Sequence, residues 1–283
     1  MSEGRFGRRR FLKGALVVGA AGATSVLPAA AAAEHLSPRA ESVEFLVPGL
    51  DPAHDGLRVA QLSDIHVGSR TPASIVRAAV EEVNRFAPDL VVLTGDFLSH
   101  RRREVTDLRE QLGGIAAPTV AVLGNHDVWV DPAGAAAALR GHGYEVLENQ
   151  WTTLRLRGAA FPIVGVGDRL TGREDVPRAF AGLPSRASPL VLAHAPRTAD
   201  RLRSLERPLL CLSGHTHGGQ INIPLLTPLL LAAAMREPYM KGRFQLGQVQ
   251  LYVNRGVGMS GIRVRVNAPP EVTLATLRAA SPV

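Results

Sequence analysis

Cysteine is almost absent: Cys211 stands alone among 283 residues. One thiol excludes a disulfide framework and a thiolate zinc cluster. Its place in the apolar run 209–212 predicts a buried, inert side chain. Excess charge is scarce as well. The formal net charge is +7, and residues 1–33 hold +4 of it through Arg5, Arg8, Arg9, Arg10 and Lys13 against Glu3. The remaining +3 gives no strong nucleic-acid signal. Repeats of solenoid type are missing, and nothing in the composition points to disorder. Hydrophobic residues make up 46 %, enough for a sizeable core, and the length suits one α/β domain better than two.

The first 33 residues read as an address. A basic stretch from Arg5 to Lys13 is followed by an apolar run from Gly14 to Leu27, then Pro28 and alanines ending at Ala33. That is the order of an export signal. Arg8-Arg9-Arg10-Phe11-Leu12-Lys13 resembles a twin-arginine signal, which exports folded proteins in bacteria. Cleavage after Ala33 is expected, with an uncleaved anchor as the alternative; either way the protein is placed in the periplasm, outside the cell or at the membrane. Residues 34–56 read as a linker and an edge strand over 43–47. The domain proper is expected over 57–283.

From Leu57 onward, apolar runs of strand length alternate with helix-like segments. Strands are expected over 57–62, 90–93, 119–123, 151–157, 161–166, 190–193, 209–212 and 272–277. Residues 243–246 and 248–253 form a hairpin about Gly247. Helices are expected over 71–86, 104–112, 132–140, 176–181 and 198–205, the first opened by Pro72. This alternation predicts an α/β fold with largely parallel strands. The β-rich tail adds a second sheet, so two mixed sheets pack together with helices outside.

Five of the apolar runs stop at clusters of metal-ligand types. They end at Asp64 and His66, at Asp96, at Asn125-His126-Asp127, at His194, and at His215 and His217. In open α/β sheets, ligands bind beyond the C-terminal strand ends, so five such ends on one rim converge on one point. Gly95, Gly124 and Gly214 lie where the backbone must turn beside it. Asp, Asn and His without Cys make a mixed oxygen and nitrogen site, suited to Mn, Fe or Zn. Seven candidate ligands exceed one tetrahedral ion and suit two that share a carboxylate, ~3.5–4 Å apart. Two divalent ions against two carboxylates leave a surplus of about +2, which attracts phosphate and stabilises a metal-bound hydroxide as nucleophile.

Taken together, D-x-H at 64–66, G-D at 95–96, G-N-H-D at 124–127, H-x-P at 194–196 and G-H-T-H at 214–217 resemble the signature of the calcineurin-like metallophosphoesterases. The resemblance spans about 57–277. It implies a β-sandwich flanked by helices and two divalent ions. One ion would be held by Asp64, His66, Asp96 and His217, and the other by Asp96, Asn125, His194 and His215. His126 would stabilise the transition state and protonate the leaving oxygen, with Asp127 orienting its ring. Gly-His-Thr-His-Gly-Gly-Gln at 214–220, Asn254-Arg255-Gly256 and Asn267-Ala268-Pro269-Pro270-Glu271 resemble a bacterial subgroup, often exported. Its members act on phosphodiester or pyrophosphate bonds, some of them in lipid-linked substrates such as UDP-2,3-diacylglucosamine. A nuclease, a cyclic-nucleotide phosphodiesterase and a non-catalytic binding protein on the same fold are the alternatives.

Three features have two readings each. The run from Ile221 to Met235 is too short to span a bilayer; it is either core or oligomer packing, or an apolar lip that meets a membrane or an acyl chain, with Arg236 and Lys241 beside it. Arg255 either grips a substrate phosphate or closes a surface turn. His35, His54, His100 and His142 are read as structural, and Arg101-Arg102-Arg103 as a solvated loop.

Overall fold

The computed structural model describes residues 36–280. The export signal expected over 1–33 lies outside the described residues. Two six-stranded sheets form the body. The first has the order β1-β12-β2-β3-β4-β5, built from β1 Arg39–Pro48, β2 Leu57–Leu62, β3 Leu90–Thr94, β4 Thr119–Val122, β5 Glu145–Leu147 and β12 Glu271–Ala280. The second has the order β10-β11-β9-β8-β7-β6, built from β6 Gln150–Leu156, β7 Ala159–Gly165, β8 Leu190–Leu192, β9 Leu209–Ser213, β10 Gly242–Leu246 and β11 Val249–Val253. β2 to β5 run parallel, as do β7, β8, β9 and β11. β12 is antiparallel to β2, and hairpins β6–β7 and β10–β11 close the second sheet, so both sheets are mixed.

Successive side chains of a strand point to opposite faces, and this sorts the core into layers. Leu57, Val59, Leu90 and Val92 of the first sheet meet Leu190, Leu192, Leu210 and Leu212 of the second. Their neighbours Ala60, Leu62, Val91 and Leu93 face outward, onto helices α1 Ala73–Phe86, α2 Glu104–Gln111 and α4 Pro132–Gly141. Val191, Leu209 and Cys211 pack outside the second sheet with α5 Val176–Ala179 and α6 Thr198–Leu202. Strands buried on both faces read as unbroken apolar runs rather than alternating ones. That is why β2, β3 and β9 stand out in the sequence.

The expected strands and helices are present with small shifts at their ends. Besides isolated 3-10 turns, the elements not anticipated are β5, the short helix α3 Asn125–Val130, which starts at the polar end of β4, and the helical turns Leu226–Leu230 and Leu231–Met235. The 34–56 segment supplies β1, longer than the expected 43–47, at the edge of the first sheet. Cys211 is fully buried, and burial pushes its thiol up to about 12, so it is inert as expected.

Candidate metal centre

The C-terminal ends of the parallel strands meet across the sandwich. Gln61 Nε2 of β2 donates to the Ser213 carbonyl of β9 at 2.9 Å, and His194 Nδ1 after β8 donates to the Thr94 carbonyl of β3 at 2.7 Å. Beyond these ends the chain turns sharply. Asp64, His66, Asp96, His215 and His217 all adopt positive φ, between 46° and 76°. Non-glycine residues there carry strain that the surroundings must hold, and such strain clusters at functional sites. Close approach governs the glycines. A Cβ on Gly95 would lie 2.6 Å from Gly124 N and 2.8 Å from His194 Nδ1, and one on Gly214 would overlap Ser63 Oγ and Asp64 Oδ2.

The structure brings all seven candidate ligands and His126 together, and every one is buried. Three overlapping groups form: Asp64 with His66 and His217, His66 with Asp96 and His126, and Asp96 with His194 and His215. Within each group, the potential ligand atoms lie within 4.8 Å of one another. Asp96 Oδ2 stands between the groups, 3.7 Å from His66 Nε2 and 3.3 Å from His194 Nε2. Asn125 Oδ1 is 3.2 Å from His194 Nε2.

The donor chemistry fits a pair of cations. A carbonyl only accepts, so His66 Nδ1, 3.1 Å from Leu98 O, and His194 Nδ1 both carry a proton towards the backbone. Each ring then turns Nε2 inward, as metal-binding histidines do when a carbonyl holds their other nitrogen. His194 Nε2 faces two acceptors, Asn125 Oδ1 and Asp96 Oδ2. Asn125 Nδ2 is buried without a partner. A bare site can satisfy these lone pairs only by adding protons, and metal ions replace those protons.

The electrostatics express the same crowding. Burial opposes ionisation of Asp96, yet His194 and His126 outweigh it and hold the carboxyl well below the usual range. Burial acts against a charged His194 too, but Asp96 prevails and holds its pKa well above normal. Burial, then the neighbouring imidazoles, pulls His66 and His215 down to about 3 and His217 well below its usual value. Asp64 is raised to about 6, by burial first, with the Asp96 charge adding to it.

Asp127 and Arg255 are engaged by other groups in the structure. The Asp127 carboxylate is taken up by backbone N–H groups. Its Oδ1 accepts from Phe97 N and Leu98 N, and its Oδ2 from Gly124 N, each at 2.9 Å. It staples two ligand turns together, while the His126 ring is held by Ser99 O, 2.6 Å from Nδ1. Burial and the Asp96 charge push Asp127 up to about 7. Arg255 is not an open phosphate grip. Its Nη2 donates to Glu41 at 2.9 Å, and its Nε lies 2.8 Å from Glu271 Oε2, an ion pair without hydrogen-bond alignment.

Of the other histidines, His54 is structural, buried with Nε2 3.1 Å from Leu156 O. The ring of His142 lies 5.4 Å from that of Tyr144, and His35 lies outside the described residues. The ring centroid of His100 is 5.5 Å from that of His126, at the edge of the candidate site. Arg101, Arg102 and Arg103 are exposed, as a solvated loop should be.

Asp168 was missed. It follows β7, a sixth strand end, and is buried, with Oδ2 accepting from Thr171 N at 2.8 Å and Oδ1 unpartnered. Burial pushes it up to about 6, with His194 pulling the other way. The signal was the same as elsewhere, an apolar run ending in Gly-x-Gly-Asp. The run from Ile221 to Met235 does not enter the core at its apolar tip: Leu225 is 83 % exposed and Leu229 67 %.

Comparison with known proteins agrees with this geometry. Residues 57–219 match the family model described as calcineurin-like phosphoesterase. An uncharacterized metallophosphoesterase of Bacillus subtilis (strain 168), YkuE, is 31 % identical, covering 97 % of this chain and 98 % of its own length. The phosphodiesterase YaeI of Escherichia coli (strain K12) is 34 % identical over 78 % of this chain and 82 % of its own. The UDP-2,3-diacylglucosamine pyrophosphatase LpxG of Chlamydia trachomatis serovar D is 27 % identical over 86 % and 91 %. With five motifs in order, a two-sheet body and buried Asp and His groups at the strand ends, the chain belongs to the calcineurin-like phosphoesterase family and is a metal-dependent hydrolase.

Proposed function

We propose that this metallophosphoesterase cleaves a phosphodiester or pyrophosphate bond in a lipid-linked substrate of the cell envelope, after export by a twin-arginine route. The observation that carries the hydrolytic part is Asp96 Oδ2, set between His66 Nε2 and His194 Nε2. One carboxylate between two donor groups suits a pair of ions that clamp attacking and leaving oxygens. In this reading Asp64, His66, Asp96 and His217 hold one ion, and Asp96, Asn125, His194 and His215 the other. Mn, Fe or Zn suits the donor set. Bound there, the ions supply charge stabilisation at phosphorus and an acidified water. The chain's own side chains do the rest. His126, with Nδ1 tied to Ser99 O, passes a proton to the leaving oxygen from Nε2. Asp127 keeps the turns of Asp96 and Asn125 at fixed separation.

The substrate class draws support from the relatives named as a phosphodiesterase, YaeI, and a UDP-2,3-diacylglucosamine pyrophosphatase, LpxG, and from an exposed apolar ledge. Ile223, Leu225, Leu226 and Leu229 are joined to Ile262 and Val264 through the Ile221–Val266 bridge. Exposed Arg236 and Arg263 flank the ledge, which suits an anionic bilayer surface and an acyl chain.

The test is hydrolysis of bis-p-nitrophenyl phosphate with added Mn²⁺, followed by a panel of lipid-linked pyrophosphates, linear DNA and cyclic nucleotides. Activity lost in Asp96→Asn and greatest on the lipid-linked compounds is expected. Preference for DNA or a cyclic nucleotide would replace the substrate class. No turnover with any divalent ion would leave a binding protein. Export is tested by fractionation, which should find the processed chain outside the cytoplasm.

A further inference from the structure

One buried charge next to the centre has no role in the proposed chemistry. Arg265 is 5 % exposed, and its ordinary partner would be a carboxylate, since burying a guanidinium unpaired is costly. Instead backbone carbonyls surround it. Nη1 donates to Arg255 O at 3.0 Å and Ala268 O at 2.9 Å, Nη2 to Arg255 O and Gly256 O at 3.0 Å, and Nε to Gly258 O at 3.0 Å. Nη2 also stands 3.4 Å from His217 Nδ1. Burial draws the guanidinium down to about 10, so it stays charged at neutral pH.

The carbonyls it holds are not arbitrary. The same segment, 255–258, lies on the turn of Asp64: Val257 N donates to Ser63 O at 2.9 Å and Gly258 N to Asp64 O at 2.7 Å. A Cβ on Gly256 would come 2.7 Å from Asp64 Cβ. One planar fork therefore spans the turn of Asp64 and the ring of His217, whose Nε2 is 3.4 Å from Asp64 Oδ1. These two residues belong to one candidate metal group.

We propose that Arg265 is a positioning residue that sets His217 against Asp64 and so governs one of the two metal positions and not the other. Nη2 has two hydrogens and also reaches the Arg255, Gly256 and Gly258 carbonyls, so the guanidinium faces His217 Nδ1 as a cation with donors and no acceptor, which favours a lone pair on that nitrogen. The ring of metal-free His217 then carries its proton on Nε2, 3.1 Å from His66 Nε2, which needs a donor because its own Nδ1 proton points to Leu98 O. His66 and His194 have the opposite arrangement, with Nδ1 on a carbonyl. His217 is thus held by a cation while those two are held by the backbone. Lysine cannot replace the fork, because a single ammonium does not span both sides.

The proposal rests on the two-metal reading, and the test separates the two. Metal binding to the full chain is measured by calorimetry and elemental analysis with Mn²⁺ in wild type, Arg265→Lys and Arg265→Met. Long-range ¹⁵N–¹H correlation of histidine-labelled, metal-free wild type reads the His217 tautomer. The expected result is two ions in wild type, with the affinity of one lowered roughly 10- to 100-fold in both variants and the other kept. Metal-free His217 should have its proton on Nε2. Two affinities within twofold of wild type in the variants would overturn the proposal, as would equal weakening of both in step with Tm. If Arg265→Met does not fold, Arg265→Lys decides. If wild type binds no ion, the two-metal reading fails and the metal-position role of Arg265 falls with it; a proton on His217 Nδ1 in wild type that does bind two ions rejects the Arg265 contact alone.

Discussion

The imidazole of His126 is anchored by the carbonyl of Ser99, 2.6 Å from Nδ1. Ser99 is itself held in place, since Glu104 Oε2 accepts from the backbone N–H of Ser99 and His100 at 2.8 Å and Arg101 at 3.1 Å. The His126 ring, the proposed acid-base group, therefore depends on a buried carboxylate at the start of α2, five residues beyond the carbonyl that orients it.

His126→Ala is expected to lower kcat by about 10²-fold or more if the ring is the general acid. Both ions should remain, because neither proposed ligand set includes His126. Stopped assays paired with elemental analysis check this. An unchanged kcat would remove the proton-transfer role. Asp127→Ala should act differently. Three buried N–H groups lose their acceptor, so stability should fall by on the order of 3 kcal/mol in urea unfolding.

Gly214→Ala tests the close approach behind the site. The added methyl meets Ser63 Oγ and Asp64 Oδ2, the ends of two fully buried side chains, and Asp64 can yield only by leaving its place in the candidate centre. Metal occupancy and hydrolysis should both drop sharply while far-UV circular dichroism stays near wild type. Full metal content in this variant would contradict the packing described here.

Leu225→Asp with Leu229→Asp addresses the apolar ledge. Both positions are mostly exposed, so folding and hydrolysis of a small soluble substrate should be unaffected. Binding to anionic vesicles in low salt should weaken at least about tenfold, since two apolar anchors are lost and two negative charges gained. Equal vesicle binding by the double variant would reject the ledge as the contact.

Glu237 gives a pH test away from the centre. It is 6 % exposed, and burial raises its carboxyl from 4.5 to about 7. The folded state thus binds the proton more tightly than the unfolded chain. Its favourable contribution is complete below pH 4.5 and is lost as pH rises through about 7. Glu237→Gln should gain stability over wild type across that window, by on the order of 1–3 kcal/mol at pH 8. Urea unfolding at pH 4.5 and pH 8 measures the difference, and an identical pH slope in both proteins would refute the shift.

The sequence by itself determined the elements and the place of the chemistry. Side-chain alternation makes a strand buried on both faces an unbroken apolar run, so β2, β3 and β9 are legible. A parallel sheet brings strand ends to one rim, so Asp64, Asp96, Asn125, His194 and His217 could be grouped before any coordinates. Only the tertiary structure decided which groups touch. Asp127 is adjacent to His126 in the chain, yet its carboxylate is used by Phe97, Leu98 and Gly124. Arg255 is drawn to Glu41, which is 214 residues away. Arg265 shows no motif of its own and becomes significant only where residues 255–258 fold back on Asp64. Local pattern follows from the period of the backbone, which neighbours in sequence share. Partnership follows from how distant strands register and how loops cross their ends, and nothing local encodes that.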